Sequence, residues 1–180
     1  NKRFKETKEA IQKGYDLIYH AYFIDDNFRG EADFLIKSND GSYEVYDTKI
    51  SRNPKPRHIF QIIAYSHMLS KIQKVMPKKM YLIDGSDKIH SYKTNEFIDY
   101  FIYTKKNFQN YLKNIHKEDI YPEKCEFCNL CDWSDTCNKK WEDDNYINQV
   151  AKSVKSQVEK FKKINIKTVE NLAKTDVKKI

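Results

Sequence analysis

Arg29-Gly30-Glu31-Ala32-Asp33-Phe34-Leu35-Ile36 and, after Asn39-Asp40-Gly41-Ser42, Tyr43-Glu44-Val45-Tyr46-Asp47-Thr48-Lys49-Ile50 are the stretches that decide the fold. Alternating, β-branched and aromatic residues predict strands over 32–36 and 43–50, and Asn-Asp-Gly-Ser between them is a strong hairpin turn. Upstream, Ala10, Ile11, Tyr15, Ile18 and Tyr19 recur at helical spacing and predict an amphipathic helix over 6–20. Downstream, Pro54 and Pro56 punctuate a loop, and Ile62, Tyr65, Leu69 and Ile72 predict a helix over 58–75. Short strands over 80–83 and 89–92 come next, then a helix rich in Tyr and Phe over 97–115. Beyond a cysteine segment, a helix is expected over 146–161 and a short turn plus helix over 164–172. Helix, strand hairpin, helix, strand is the order of a mixed sheet flanked by helices, an α/β architecture.

With 180 residues the chain can bury a core. Its 33% charged and 39% hydrophobic content, with Gly and Pro at four each, excludes collagen, low-complexity linkers and disorder. No apolar run reaches the length a bilayer requires, so no membrane partner is expected. The chain starts at Asn1 without Met, which reads as a piece of a longer protein.

The hairpin also carries chemistry. Asp47 and Lys49 are two apart and share one strand face, while Glu44, three before Asp47, points to the other. An Asp-x-Lys pair on a strand is most often a solvated ion pair. Here the strand is apolar, and Asp33 lies on its hairpin neighbour. Two neighbouring carboxylates repel unless a cation intervenes; hard oxygen donors suit Mg²⁺ or Mn²⁺, with the Thr48 carbonyl as a further candidate ligand. Such an ion polarises a phosphate and acidifies a water, and a nearby lysine orients that water or neutralises developing charge. Gln61 and Tyr65 stand at i,i+4, on one face of the next helix.

Between Lys49 and Asp84 there is no acid, but Arg52, Lys55, Arg57, Lys71, Lys74, Lys78 and Lys79 are basic. These would surround the site and meet phosphates, with His58, Phe60 and Tyr65 able to stack unpaired bases. From Tyr146 onward nine lysines oppose Glu159, Glu170 and Asp176, so this tail carries +6 of the net +7. No Gly-rich phosphate loop is present, so ATP hydrolysis is not encoded here.

All four cysteines lie in Cys125-x2-Cys128-x2-Cys131-x5-Cys137. This clustering argues against a secreted disulfide framework and for a reducing, intracellular (cytoplasmic) compartment with a metal or cluster site. Zinc usually takes two separated pairs, whereas one crowded loop suits an iron–sulfur cluster; both remain open.

Taken in order, Gly30-x-x-Asp33, Asp47-x-Lys49 and Gln61-x3-Tyr65 resemble the PD-(D/E)XK nucleases of the RecB type. The likeness extends through Tyr121-Pro122-Glu123-Lys124-Cys125, the cysteines, Trp133 and Leu172-Ala173-Lys174, nearly the whole chain. It implies a restriction-endonuclease-like fold with a cysteine-cluster helical C-terminal extension: nuclease core 1–120, cysteine segment 121–145, basic tail 146–180. Residues 164–172 resemble half of a helix-hairpin-helix. The resemblance implies a Mg²⁺- or Mn²⁺-dependent deoxyribonuclease, an exonuclease by kinship with the CRISPR-associated RecB-type enzymes, acting on single-stranded DNA or DNA ends.

In that family Asp33 and Asp47 would ligate the metal, Lys49 would assist the water, and Gln61 and Tyr65 would position site or strand. His20 would match a metal-ligating histidine on the preceding helix. DNA contacts would fall to Arg52, Lys55, Arg57 and Tyr65. Cys128, Cys131 and Cys137 match a triplet that, with a distant upstream cysteine, holds a 4Fe-4S cluster. No cysteine precedes Cys125 here, so Cys125 is the fourth ligand or the ligand lies before Asn1. A helicase-type ATPase partner, in cis or in trans, is implied. The rivals are a catalytically inactive DNA-binding or scaffold module of nuclease fold serving such a partner, and a zinc-stabilised interaction domain.

Overall fold

A computed structural model describes residues 2–115 and 121–176. Contacts divide the chain into two compact units, 1–114 and 115–180. The second unit joins the cysteine segment to the basic tail.

The first unit is a five-stranded mixed sheet flanked by helices. Strands β1 (Leu17–Asp25), β2 (Phe28–Lys37), β3 (Tyr43–Thr48), β4 (Lys79–Ile83) and β5 (Ile89–Lys93) lie side by side in chain order. All neighbours are antiparallel except β3 and β4, which run parallel. A parallel pair needs a crossover, supplied by α2 (Pro56–Gln73). Pro56 at its first turn loses no helical hydrogen bond, and Lys74 ends it in the left-handed conformation (φ 63°). Ile62, Ile63 and Leu69 of α2 are fully buried with Phe23, Leu35, Val45, Met80 and Leu82 of the sheet. Each such side chain contributes about 1.5–3 kcal/mol.

The helix expected over 6–20 is corrected. Helix α1 spans only Lys2–Lys13, because Gly14 turns the chain at φ +73°. The chain then enters β1, which closes on β2 through the two-residue turn Asp26-Asn27, with Asp26 at φ 53°. The spacing of Ile18 and Tyr19 from Tyr15 imitates a helix across the break. His20 is therefore a strand residue. The strand expected over 43–50 stops at Thr48, leaving Ile50 exposed.

Asp25, at the end of β1, is buried and ion-paired with Lys71 of α2 and with Lys105 of α3 (Ile98–Asn114), each at 2.5 Å. Burial pushes its carboxyl up, but hydrogen bonds from both lysines outweigh this and hold it below the usual range. A carboxyl depressed by folding stabilises above its unfolded pKa and loses that contribution as pH falls through the folded value. Asp25→Asn is expected to cost about 3 kcal/mol at neutral pH, because the largely desolvated Lys105, 11% exposed, loses its counter-charge. It should also flatten the loss of stability on acidification below about pH 4, seen in melting temperatures from pH 6 to pH 3.

In the second unit, α4 (Ser134–Asp143), α5 (Lys155–Lys163) and α6 (Val169–Ala173) enclose a small core of Trp141, Tyr146, Ile147, Val158 and Ile166. The helix expected over 146–161 is also corrected. Tyr146 forms a β-bridge with Thr168, 147–149 is a 3-10 turn, and Lys152 adopts φ 62°, so α5 begins only at Lys155. There the Gln157 side chain accepts the Val154 N–H at 3.0 Å. Thr168 Oγ1 caps α6 by accepting the Asn171 N–H. No helix among the described residues is long and apolar enough to cross a membrane.

Candidate active site

The β2–β3 ladder runs from Lys37↔Tyr43 to Phe34↔Tyr46 and stops one residue short of Asp33 and Asp47. Beyond that point the Asp33 carboxylate does what backbone pairing no longer does. Its Oδ2 accepts the Thr48 N–H at 2.7 Å and the Thr48 hydroxyl at 2.5 Å. Asp47 points inward with Tyr43 and Val45 and is 2% exposed. Its carboxylate pairs with Lys49 Nζ. Burial pushes the Asp47 carboxyl up, the Lys49 hydrogen bond and charge oppose this, and the negative charge of Asp33 adds to the rise. A desolvated carboxylate beside a second carboxylate and a single lysine is a site with room for more positive charge.

Lys49 lies just past β3, where its N–H donates to the Ile83 carbonyl of β4 at 2.8 Å. The β4–β5 turn closes over this loop. A Cβ on Gly85 would lie 2.1 Å from the Ile50 carbonyl oxygen, so only glycine permits the approach. Asp84 anchors the turn, accepting from the Ser86 hydroxyl and N–H and pairing with His90 Nε2 at 2.6 Å. Sequence patterning does not single out Gly85; its only signal is Asp84-Gly85 closing a strand.

Glu44 sits on the opposite sheet face, accepting from the Lys79 N–H and the Tyr81 hydroxyl, both at 3.0 Å. Gln61 and Tyr65 are brought together, Gln61 Nε2 donating to the Tyr65 hydroxyl at 2.7 Å. The Tyr65 ring occupies the space left by Gly30; a Cβ there would meet it at 2.4 Å. Stacking of bases on His58 and Tyr65 is corrected. His58 and Tyr65 are buried, and Phe60 packs on Phe101 at 5.4 Å and Tyr100 at 6.1 Å. Arg52, Lys55 and Arg57 are exposed.

His58, which the sequence offers only as a stacking ring, is buried at the start of α2. Its Nδ1 accepts the Lys55 N–H at 3.3 Å, which fixes the start of α2. Burial holds its pKa below the usual value, reinforced by the charges of Lys49, Arg57 and Lys55. His20 falls opposite Asp33 in the β1–β2 register, but at a φ of 51° it interrupts the pairing there, and its Nδ1 pairs with Glu31 at 2.6 Å. Arg3 binds the same Glu31 oxygen. Glu31 is not evident from the sequence as a site residue, although its place two residues before Asp33 is a signal.

Asp33 and Asp47 are hard oxygen donors whose chemistry fits Mg²⁺ or Mn²⁺, ions that keep several waters and need only one or two carboxylates. Cys125 and Cys128 bring their sulfurs to 3.9 Å, and all four thiols are free. Among the described residues, no three His, Cys, Asp or Glu side chains converge on a metal position. The four thiols fit a soft metal or cluster as a donor set, and closing such a loop is ordinarily coupled to metal binding.

No curated protein matches the chain. Three chains of solved structures do. One, titled "Crystal structure of SSO0001", is 16% identical, with 76% of this chain and 68% of that chain covered and a TM-score of 0.37. A family model described as the PD-(D/E)XK nuclease superfamily matches residues 2–138, which include the splayed β2–β3 hairpin and its acids. The chain belongs to the PD-(D/E)XK nuclease superfamily.

Proposed function

We propose that the chain is a Mg²⁺- or Mn²⁺-dependent deoxyribonuclease of the RecB type that hydrolyses single-stranded DNA or DNA ends. The observation that carries this reading is the buried Asp47, paired with Lys49 and adjoining Asp33 where β2 and β3 part. Asp33, Asp47 and the Thr48 carbonyl hold the metal. His20 would join them only through Nε2, because Nδ1 is engaged by Glu31. When bound, the ion polarises the scissile phosphate and acidifies the attacking water.

Lys49, fixed by Asp47 on one side and by the Ile83 carbonyl through its backbone, presents one ammonium at the site. There it orients the water and offsets charge developing on the phosphate. Gln61 and the Tyr65 hydroxyl position the strand by hydrogen bonding. Arg52 and Lys55 meet its phosphates from the loop after Lys49, and Arg57 from the first turn of α2. Replacing all three with alanine should lower the slope of log K against log salt by about two, at roughly 0.7 per phosphate contact on a single strand. Filter binding across a salt series checks this.

Cys125, Cys128, Cys131 and Cys137 would hold a 4Fe-4S cluster, or a zinc ion, that pins the C-terminal unit's loop. The support is their spacing, and free thiols fit a reducing cytoplasm. Iron and sulfide analysis of anaerobically purified protein tests it, with one equivalent of zinc alone as the contrary outcome. A helicase-type ATPase partner accords with the absence of a phosphate-binding loop. Substrate class is tested with end-labelled linear and circular single- and double-stranded DNA and Mn²⁺. Loss of label from linear single strands with circles intact supports end-dependent cutting; cleavage of circles assigns an endonuclease instead.

A further inference from the structure

A cleft of about 480 Å³ opens in the first unit, walled by Pro54, by Pro56 and Phe60 of α2, by Tyr92 of β5 and by Tyr100 of α3. No charged side chain lines it. Phe60 meets Tyr100 edge to face, at 6.1 Å with planes 74° apart, and Tyr92 meets Phe97 in the same way at 6.0 Å and 81°. Within such a pair one ring keeps both faces uncovered and the other keeps one. Tyr46 and Tyr81, by contrast, stack at 4.1 Å and close each other's inner face. Tyr100 is 68% exposed, and Phe60 and Tyr92 are half-buried, so ring surface is open to a guest. Exposed aromatic surface gathered around a concavity marks a binding site more than scattered apolar residues do.

The charges beside the cleft narrow the guest. Lys55 and Arg57 alternate with Pro54 and Pro56, and Arg52 precedes them. All three cations are exposed, and among the described residues none is ion-paired with a carboxylate. On the other side Glu96 answers Lys93 at 3.9 Å, and Asp99 lies in the first turn of α3. A fitting guest therefore carries anionic groups along one edge and flat apolar rings along the other. A single nucleic-acid strand is built that way, and aromatic stacking joined to phosphate contacts holds such strands irrespective of sequence. A duplex keeps its base faces inside its own stack. A proline-rich peptide matches the apolar wall but brings no regular anionic edge. The cleft also adjoins the candidate site. Pro56 and Phe60 stand at i,i+4 on one stripe of α2, and Arg57 and Gln61 at i,i+4 on the next. A strand held at Gln61 thus has Arg57 and the cleft beside it on the same helix.

We propose that this cleft is a base-stacking subsite for single-stranded DNA, in which Tyr92 and Tyr100 stack unpaired bases while Arg52, Lys55 and Arg57 hold their phosphates. The choice of a DNA strand rests on the nuclease reading; the aromatic cleft and its one-sided charge do not.

The test uses the full chain without divalent metal, so that nothing is cut. Oligodeoxythymidylate, an abasic strand of equal length and a duplex are titrated by fluorescence anisotropy across a salt series. The proteins are wild type, Tyr100→Ser, Tyr100→Phe and Tyr92→Leu, the last keeping apolar bulk where Tyr92 packs on the core. Loss of either ring should lower affinity for oligodeoxythymidylate by about tenfold. The slope of log K against log salt should stay as in wild type, because no phosphate contact is removed. Tyr100→Phe should bind as wild type does, and all four proteins should bind the abasic strand equally. Strands carrying 5-iododeoxyuridine should cross-link to the peptides that hold Tyr92 or Tyr100. Absence of strand binding by wild type, equal affinity of Tyr100→Ser and Tyr92→Leu with wild type for oligodeoxythymidylate, or an equal loss on the abasic strand overturns the proposal. Binding of an acidic proline-rich peptide that depends on Tyr100, in a protein that binds no oligonucleotide, overturns it too and assigns the cleft to a protein partner. A protein that stacks strands here but cuts no DNA with Mn²⁺ keeps this subsite and loses the nuclease reading; one that cuts DNA with Tyr92 and Tyr100 inert does the reverse.

Discussion

Asp47→Asn should lower metal-dependent cleavage by about a thousandfold or more, because a metal's stabilisation of the phosphoryl transition state amounts to several kcal/mol and each 1.36 kcal/mol is a factor of ten. The substitution preserves shape and an acceptor for Lys49, so the fold should survive. Stability without metal should be unchanged or higher. Asp47 is 2% exposed, and its carboxylate carries the cost of desolvation together with the nearby charge of Asp33. Removing a charge that folding disfavours relieves that cost, a pattern expected where function is maintained against stability. Thermal melts and single-turnover cleavage on the same preparation separate the two effects. A large loss of activity with a preserved melting temperature is the expected pair.

The second large effect should come from a residue that never meets substrate. Gly85→Ala introduces a Cβ 2.1 Å from the Ile50 carbonyl oxygen, a backbone atom that cannot rotate away. Either the β4–β5 turn or the Lys49–Ser51 loop must move. The Gly85 N–H to Ser51 carbonyl bond, at 3.3 Å, would be lost with it. A displacement of about 1 Å at Lys49 costs on the order of a hundredfold in rate, and the overpacking itself about 1–3 kcal/mol in stability. Strand affinity should change little, since Lys55 and Arg57 lie beyond the displaced segment, at the start of α2, and remain exposed. The variant is therefore expected to bind DNA, cleave it slowly and melt several degrees lower. Wild-type cleavage by Gly85→Ala would show that Lys49 does not depend on this turn.

Much of this is legible in the sequence. The turn Asn39–Ser42, the alternation of Tyr43, Val45 and Asp47, and the apolar spacing of α2 place the hairpin and the crossover helix, because local propensity and burial agree there. The family match over 2–138 and the mixed sheet accord with the α/β reading. The first strand is not legible. Tyr15, Ile18 and Tyr19 fall at intervals that fit a helix as well as a strand, and Gly14 is the stop signal that their spacing hides. That ambiguity moves His20 from a helix to a strand and conceals its partner Glu31. Likewise, the Lys-rich run after Tyr146 reads as a continuous helix, because nothing in the identity of Lys152 announces a positive φ.

At the candidate site, strand periodicity accounts for the inward face of Asp47, whereas Lys49, just past β3, meets it through their ion pair. Gly85 and His58 are not legible: Gly85 acts across a long sequence separation, a turn after β4 against the loop after β3, and His58 acts as a buried ring that fixes the start of α2, where the sequence offers it only as a stacking group. Tyr65 is readable as a partner of Gln61 but not as a buried ring, because the cleft that receives it is the missing side chain of Gly30.

The most direct test is a Mn²⁺ titration of cleavage of an end-labelled single strand by wild type, Asp47→Asn and Lys49→Met, with DNA binding measured in parallel without metal. Metal-dependent cleavage by wild type, its loss in both variants and unchanged binding are the predicted result. Cleavage that persists in both variants, or none by wild type at any metal concentration, contradicts the assignment of Asp47 and Lys49 to a metal-dependent nuclease site.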